Sequence, residues 1–448
     1  MRNILIIGAG KSTPYIVKYL MAKSSDENLF LTIGDLNLNN AKKLSTSHTN
    51  FRAIKFDILN RKNSSEQISK SDIVISMLPA RFHLLVAKEC LKHKKSLLTA
   101  SYISDEMNEL DKEVKSKGII FMNEIGLDPG IDHMSAMKII DQIKDDGSEL
   151  VMFKSYTGGL IAPESDNNLW NYKFTWNPRN VVLAGQGGDA KFIEKNKYKQ
   201  IPYNELFKNT EPLKIDKYGD FEAYANRDSL KYQNIYKLNN IETLFRGTIR
   251  RAGFCNAWDV FVSLGMTDDT CKIENSHMMS YREYVNYFLS SNSNESIESK
   301  IKKKLEIDEK NVIWDKLLEL DIFNSAKQIS LKNATPAQIL EYILLQNWQL
   351  EKNDKDMVVM YHKFGYKKNK KLYQIDSTMV SIGEDETYTA MAKTVGLPLA
   401  IATLAILNKK IKSTGVQLPT SKEIYLPILK ELEEYNIKFK EKVVPFKL

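Results

Sequence analysis

The sequence predicts an α/β fold: a parallel, doubly wound sheet first, then a second α/β region and an all-helical stretch. Three observations carry that prediction. Short apolar runs alternate with helical patterns through the first 125 residues, and the first run leads straight into a glycine loop that opens a helix. Residues 275–349 contain no glycine and read as helix. Strands alternating with helices of this length belong to crossover units and therefore to a parallel sheet.

In order, Ile4–Ile7 reads as the first strand, Pro14–Ala22 as a helix, and Leu29–Ile33 as a second strand ending at Gly34-Asp35. A helix through Asn40–Leu44 and a strand at Ala53–Phe56 follow. Ile73–Met77 is a strongly apolar fourth strand, Phe82–His93 is its helix, and further strands fall at Ser96–Thr99 and Ile119–Met122. From about 150 to 265 short β-rich runs, Leu150–Thr157 and Asn180–Leu183, are separated by polar stretches with Gly, Pro and Asn. That composition suits a second α/β domain carrying binding loops. The helical stretch holds Tyr281–Leu289, Ile297–Leu305, Val312–Leu320 and Pro336–Gln346. Met357–Tyr361 and Leu372–Ile382 return to strand character around a lysine-rich turn, and a last helix, Thr389–Leu407, precedes a polar tail.

A chain of 448 residues exceeds one compact core and implies two or three domains. Its apolar fraction of 43% and charged fraction of 27% are those of an ordinary soluble protein. The strand pattern begins at Ile4, which leaves no room for a leader peptide, and the apolar stretch Val395–Leu407 is too short to span a bilayer, so no membrane partner is expected. Three widely spaced cysteines, Cys90, Cys255 and Cys271, fit reduced thiols in a cytoplasmic protein, with no metal or disulfide pattern. The net charge of +8 comes from lysines spread along the chain, without a basic run interleaved with aromatics, so a nucleic-acid partner is not expected. Arginine is scarcer: of ten in the chain, Arg227, Arg246, Arg250 and Arg251 fall within one short stretch. Two readings are open for them, structural ion pairs or a carboxylate-binding surface that uses the planar guanidinium fork.

The glycine loop is GAGKST, Gly8 to Thr13, with Thr13 where a dinucleotide fingerprint carries its third glycine. Gly8 permits a tight turn, and Gly10 lets the backbone approach a pyrophosphate at the helix N-terminus. The loop follows a strand, precedes a helix and is joined by Asp35 at the end of the next strand, the context that the motif needs. A carboxylate there accepts from a ribose 2′-OH and repels a 2′-phosphate, so NAD is expected in preference to NADP; the alternative is that Asp35 caps a helix.

Ligands of open α/β sheets sit at the carboxyl ends of the strands. Leu78-Pro79, Ala100-Ser101-Tyr102 and the run GLDPGIDHM, residues 126–134, all occupy such ends. Asp128 is placed to hold a substrate ammonium or exchange a proton with an amine, unless it braces its own turn. Asp132 is read as the cap of a helix Met134–Ile143, and for His133 a capped first turn and proton transfer fit equally.

The runs SMLPARFHLLVAKEC, TASYIS, GLDPGIDHM, GGLIAPESDNN, YKFTW, NRDS, RGTIR, KDMVVM and AMAKTVGLP, in this order, resemble the saccharopine dehydrogenases of the glutamate-forming type. The resemblance covers nearly the whole chain and is weakest across 275–349 and 360–371. It implies a Rossmann domain (residues 1–130 with 385–448), a central substrate and dimerisation domain (131–270 with 350–384) and a helical insert (271–349). It also implies a homodimer that interconverts saccharopine with glutamate and 2-aminoadipate 6-semialdehyde, using NAD or NADP. Carried over, Ser101, Tyr102, Asp128, Arg227, Thr248, Ile249 and Arg250 correspond to the substrate site. Gly8, Gly10, Lys11, Ser12, Asp35, Asp57, Ile58, Leu78, Ala100, Ser101, Leu127, Asp128, Pro129 and Thr175 correspond to the cofactor site. Asp128 is the first candidate for general acid–base work and His133 the second. The chain departs from the pattern at Thr157, Ile161, Thr175 and Ala225, changes of packing that remove no charge. The alternatives are a related dehydrogenase acting on another amino acid or a polyamine precursor, and a non-catalytic dinucleotide-binding protein.

Overall fold

The computed structural model describes residues 1–44, 49–289, 295–308 and 310–446. Two compact units emerge, Met1–Leu150 with Phe364–Leu448, and Val151–Lys363.

The first unit opens with β1 (Arg2–Ile7), α1 (Pro14–Ala22), β2 (Leu29–Asp35), α2 (Leu38–Lys43), β3 (Phe51–Lys55), α3 (Arg61–Ser69) and β4 (Ile73–Ser76). It continues through α4 (His83–Lys92), β5 (Ser96–Thr99), α5 (Asp105–Glu109), α6 (Asp111–Ser116), β6 (Ile120–Met122) and α7 (Ile131–Asp145). The strands lie in the order β3-β2-β1-β4-β5-β6, every pair parallel. The chain crosses over between β1 and β4, so loops leaving their carboxyl ends part in opposite directions and open a crevice. Strands β1 and β4 carry side chains such as Ile4, Ile6, Ile73 and Ile75 with almost no exposure, as expected of a sheet covered on both faces.

The expected strands fall within a residue or two of those observed, and α1 and β5 match throughout. Three helices had no counterpart in the reading. Helix α3 (RKNSSEQIS) is polar on nearly every side, with Ile68 its one buried apolar residue, so there was no hydrophobic period to follow. Helices α5 and α6, of five and six residues, are too short to show one.

The second unit contains β7 (Glu149–Ile161), α8 (Pro178–Val182), β8 (Ala190–Glu194), β9 (Lys197–Ile201), α9 (Tyr203–Leu206), β10 (Thr210–Ile215), β11 (Gly219–Ala225), α10 (Lys231–Ile235), β12 (Thr243–Arg251) and α11 (Phe254–Leu264). It goes on through α12 (Tyr281–Tyr287), α13 (Ile297–Leu305), α14 (Val312–Glu319), α15 (Pro336–Leu345) and the start of β13 (Asp356–Lys368). Its sheet is mixed, β10-β11-β12-β7-β13, with β11 antiparallel and β7 parallel to β12. Asn180–Leu183, expected as extended, lies largely in α8. The Asn177 side chain accepts from the Arg179 N–H and Pro178 occupies the first turn, and together these start a helix despite the β-branched pair Val181-Val182. The four helices expected between 275 and 349 are present, α12 and α15 each opened by a capping box.

The chain then returns to the first unit as β14 (Lys371–Ile382), α16 (Ala390–Leu407), β15 (Gly415–Gln417), α17 (Lys422–Glu434) and β16 (Lys440–Val444). The C-terminal segment completes the first sheet, as the resemblance implies: β15 adds to β6 in parallel, and β16 pairs antiparallel with β14. Helix α16 corrects a second expectation. Started by its Thr389 cap, it reaches 18 residues with a mean hydropathy of 1.8, long and apolar enough on those counts to cross a membrane. In this fold it is a core helix, with Leu397, Leu399, Ala400 and Ala402 sealed from solvent. A Cβ at Gly396 would sit 3.1 Å from the backbone oxygen of Ser12 and from Ile16 of α1, so α16 supplies the bare surface needed beside the glycine loop.

Gly396→Leu should therefore lower stability by about 1–3 kcal/mol and weaken dinucleotide binding as well, read by urea unfolding and by nucleotide titration. An unchanged unfolding midpoint would mean that α16 does not close on α1.

Candidate active site

The glycine loop has the geometry of a phosphate cradle. Gly8 adopts φ +103°, and a Cβ there would meet the Met77 carbonyl oxygen at 2.8 Å, whereas Gly10 has no neighbour within 4 Å of where its Cβ would be. Bare backbone therefore faces open space at the start of α1, which fits a pyrophosphate. Thr13, buried, ties the loop shut by donating from Oγ1 to the Gly8 carbonyl at 3.0 Å. Lys11 stands exposed on the crest and Ser12 is half-buried. Asp35 accepts from the Ala9 N–H through Oδ2 and from the Asn37 N–H through Oδ1, both at 2.8 Å. It does not cap α2; Asn37 does. Its carboxylate is instead held against the glycine loop at the end of β2, where a ribose would lie. Asp57 accepts from the Leu59 N–H at 2.9 Å, while Ile58 is packed in the core and can offer a ligand only its backbone.

At the ends of β4 and β5 lie Leu78, Ala100, Ser101 and Tyr102, all partly accessible. The turn after β6 folds back on itself. The Gly126 N–H donates to the Pro129 carbonyl at 3.0 Å, and the Ile131 N–H donates to the Gly126 carbonyl at 2.9 Å. Gly130 has φ +148°, and a Cβ there would lie 2.1 Å from the Gly126 oxygen, so no other residue fits. From Ile119 to Met137 every residue is buried except Asp128. Its Oδ1 accepts from the Tyr102 hydroxyl at 3.2 Å. Leu127 and Pro129 on either side are buried and present backbone only.

The neighbouring ionisable groups turn inward. Asp132 lies inside the first turn of α7, beyond its expected capping position, and accepts from the Gly130 N–H at 2.6 Å; Gly130 itself is the cap. His133 is wholly buried, with Nε2 2.8 Å from Glu124 Oε2. The other oxygen of Glu124 accepts from the Ile103 N–H at 3.0 Å, so Glu124 and His133 brace the segment that carries Ser101 and Tyr102. Glu124 escaped the sequence reading because nothing about an acid two residues after a strand marks it as buried.

In the second unit β12 sorts the arginine cluster by face. Arg246, Thr248 and Arg250 share one side of the strand and Arg251 lies on the other. Arg251 sits over the Phe221 ring and donates to the Tyr218 carbonyl, so it is anchored structurally and does not simply face solvent. Arg246 is buried over the Tyr232 ring, 4.2 Å from its centroid. Arg227 is exposed on the loop after β11 in a left-handed conformation. Arg250 is the unusual one. It is only 5% exposed, its guanidinium lies 5.3–5.8 Å from the ring centroids of Tyr172, Phe254 and Tyr224, and Nη1 donates to the Ile249 carbonyl. Its Nε has no partner, and among the described residues no carboxylate pairs with it. A buried cation without an anion is costly. Thr175, also buried, has an unpartnered hydroxyl in the same unit, and the Ile249 side chain is sealed away, so this residue too offers only backbone.

A phosphate cradle at the switch point of a doubly wound sheet, with an acid fixed beside it, defines a dinucleotide-dependent oxidoreductase. Residues 4–122 match the saccharopine dehydrogenase NADP binding domain and residues 126–437 the saccharopine dehydrogenase C-terminal domain, so the chain belongs to the saccharopine dehydrogenase family. It is 35% identical to the saccharopine dehydrogenase [NADP(+), L-glutamate-forming] of Saccharomyces cerevisiae, with 99% of each chain covered. Identity to the enzyme of the same name from Schizosaccharomyces pombe is 32%, again over 99% of both. The apo structure of the S. cerevisiae enzyme superposes with a TM-score of 0.89 at 34% identity, covering 99% of this chain and 100% of that one.

Proposed function

We propose that this chain oxidises saccharopine to glutamate and 2-aminoadipate 6-semialdehyde, and runs the reverse reduction, with a nicotinamide dinucleotide held on the Gly8–Thr13 loop. The observation that carries this reading is Arg250, a buried guanidinium whose missing counter-ion a substrate carboxylate would supply. Saccharopine bears three carboxylates around a secondary amine, and the full-length relatives are named for acting on it.

In the oxidative direction the amine must first lose its proton. Hydride then leaves the methylene carbon on the six-carbon side of the nitrogen, and water adds to the resulting imine carbon. The carbon–nitrogen bond breaks, glutamate departs with the nitrogen, and the carbon is left as the aldehyde. A nicotinamide dinucleotide held on the Gly8–Thr13 loop would supply the hydride acceptor. Asp128 takes up the amine proton, being the accessible acid of its turn, with the Tyr102 hydroxyl fixing one carboxylate oxygen. His133 serves as a brace behind the turn, not as a proton carrier. Arg250 orients the substrate through a carboxylate, and Arg227 and Thr248 assist from the same unit. The cysteines, two of them buried and all free, support a cytoplasmic setting, and a homodimer follows from the family resemblance. On the same basis the chain divides into a Rossmann domain (1–130 with 385–448), a central domain (131–270 with 350–384) and a helical insert (271–349).

The cofactor choice rests on Asp35. Its carboxylate stands where a 2′-phosphate would have to sit, and Leu36, Asn37 and Leu38 after it bring no cation. NAD is therefore expected to give the higher kcat/KM, although both relatives carry NADP(+) in their names. A clear preference for NADP in steady-state kinetics would overturn the role given to Asp35.

Asp128→Asn should lower turnover by about 10²-fold or more while NADH affinity and melting temperature hold, because asparagine keeps the shape of the turn but takes up no proton. A drop in melting temperature with modest kinetic loss is the signature of a purely structural Asp128.

Arg250→Lys should raise the KM for saccharopine by about tenfold or more, since a charge-assisted bond is worth roughly 1.5–3 kcal/mol and lysine lacks the fork. Arg251→Lys, on the opposite face, should leave KM nearly unchanged. Equal losses at both would point to a general electrostatic field in place of a specific contact.

A further inference from the structure

Ser76, His83, Thr99 and Ser101 form a chain of hydroxyls around one imidazole in the first unit. Ser76 ends β4 and Thr99 ends β5, and the two are register partners across the sheet. His83, buried at the start of α4, inserts between them and the loop that follows. Its Nδ1 lies 2.9 Å from Ser76 Oγ, and its Nε2 lies 2.7 Å from Ser101 Oγ and 3.1 Å from Thr99 Oγ1. The Ser101 N–H also donates to Thr99 Oγ1 at 3.3 Å, and the Ser101 carbonyl accepts from the Glu124 N–H at 3.2 Å.

Burial pushes the His83 imidazole down to about 4, so the ring is neutral at physiological pH. A neutral ring has one donor and one acceptor nitrogen, and a hydroxyl can answer either, so the chain is satisfied in both tautomers. Ser76 and Thr99 are buried, but Ser101 is partly accessible and stands where β5 leaves the sheet. The shortest of the three contacts thus goes to the one hydroxyl that a ligand can reach.

We propose that His83 is a positioning residue for the dehydrogenase reaction, fixing the Ser101 hydroxyl in one orientation before cofactor or substrate meets it. The inference rests on the functional reading above for what Ser101 touches. It adds a role for a histidine that contacts no ligand itself. The gain comes from ordering a rotatable hydroxyl in advance, so that binding need not order it. Burial without such a role would leave His83 serving only Ser76 and Thr99, and its loss would act through stability alone.

The test is a double-mutant cycle in the full-length enzyme, joining His83→Phe with Ser101→Ala and reading saccharopine oxidation with NAD, NADH affinity by fluorescence titration, and melting temperature. His83→Phe should lower kcat/KM by about tenfold, close to the loss in Ser101→Ala, and the double variant should fall no further than Ser101→Ala alone. His83→Gln, which keeps a polar group near the Nε2 position, should recover most of the loss. Multiplying effects of the two single changes, or a loss confined to melting temperature, would overturn the proposal. If His83→Phe does not fold, His83→Asn, which can still reach Ser76 but withdraws from Ser101, completes the same cycle under the same criteria. If the wild-type enzyme does not oxidise saccharopine, the functional reading fails by itself. The cycle is then read from NADH dissociation constants, where non-additivity supports the positioning role and additivity removes it.

Discussion

The closure of the turn at residues 126–130 is the constraint on which the first unit's chemistry depends. Its main chain bonds back on itself so tightly that Gly130 has no room for a β-carbon. Two consequences follow. The ionisable side chains on either side are used up internally, Asp132 on the Gly130 N–H and His133 beside Glu124. Only Asp128 is left to reach solvent in the run from Ile119 to Met137. The same closure is stitched to the end of β5, through Ile125 to the Thr99 carbonyl, Glu124 to the Ser101 carbonyl and the Tyr102 hydroxyl to Asp128. The acid, the phenol and the serine at the carboxyl edge are therefore set by one piece of backbone geometry. A flexible loop with the same residues would have to order them on every binding event.

The second unit solves a different problem, how to hold a cation in a protein interior without neutralising it. Three aromatic faces around Arg250 and one carbonyl on Nη1 give partial compensation. Glu222, its cross-strand neighbour, is committed to the Cys255 N–H at 2.7 Å. The deficit that remains suits a carboxylate ligand, and it would be abolished by an internal salt bridge. On the function proposed here, binding strength would come from withholding a partner.

Much of the fold was legible because parallel strands buried on both faces are near-continuous apolar runs, as Ile4–Ile7 and Ile73–Ser76 are. The glycine loop and Asp35 could be placed because strand, turn, helix and second strand appear in fixed order. What stayed hidden had no period to read. Helix α3 is polar throughout, α8 places β-branched residues in a helix that its cap and proline impose, and β8 to β11 are short strands with mixed patterns. The arginine cluster was legible as composition, but only strand parity separates Arg246 and Arg250 from Arg251, and parity shows only once β12 is in place. His133 stayed open in sequence because a histidine on the first turn of a helix can face either way; its burial against Glu124 supports the bracing role. His83 went unnoticed for a related reason, since the hydroxyls it gathers come from two different strand ends.

In the reaction proposed here, hydride leaves the six-carbon side of the saccharopine nitrogen and glutamate is released. Saccharopine with both hydrogens of that methylene carbon replaced by deuterium, incubated with the wild-type enzyme and NAD or NADP, tests it by mass spectrometry of the products. Deuterium should appear in the reduced nicotinamide and on the semialdehyde carbon, with unlabelled glutamate formed in equal amount. Unlabelled reduced nicotinamide together with lysine that retains both deuterons would overturn it, as would no turnover with either cofactor.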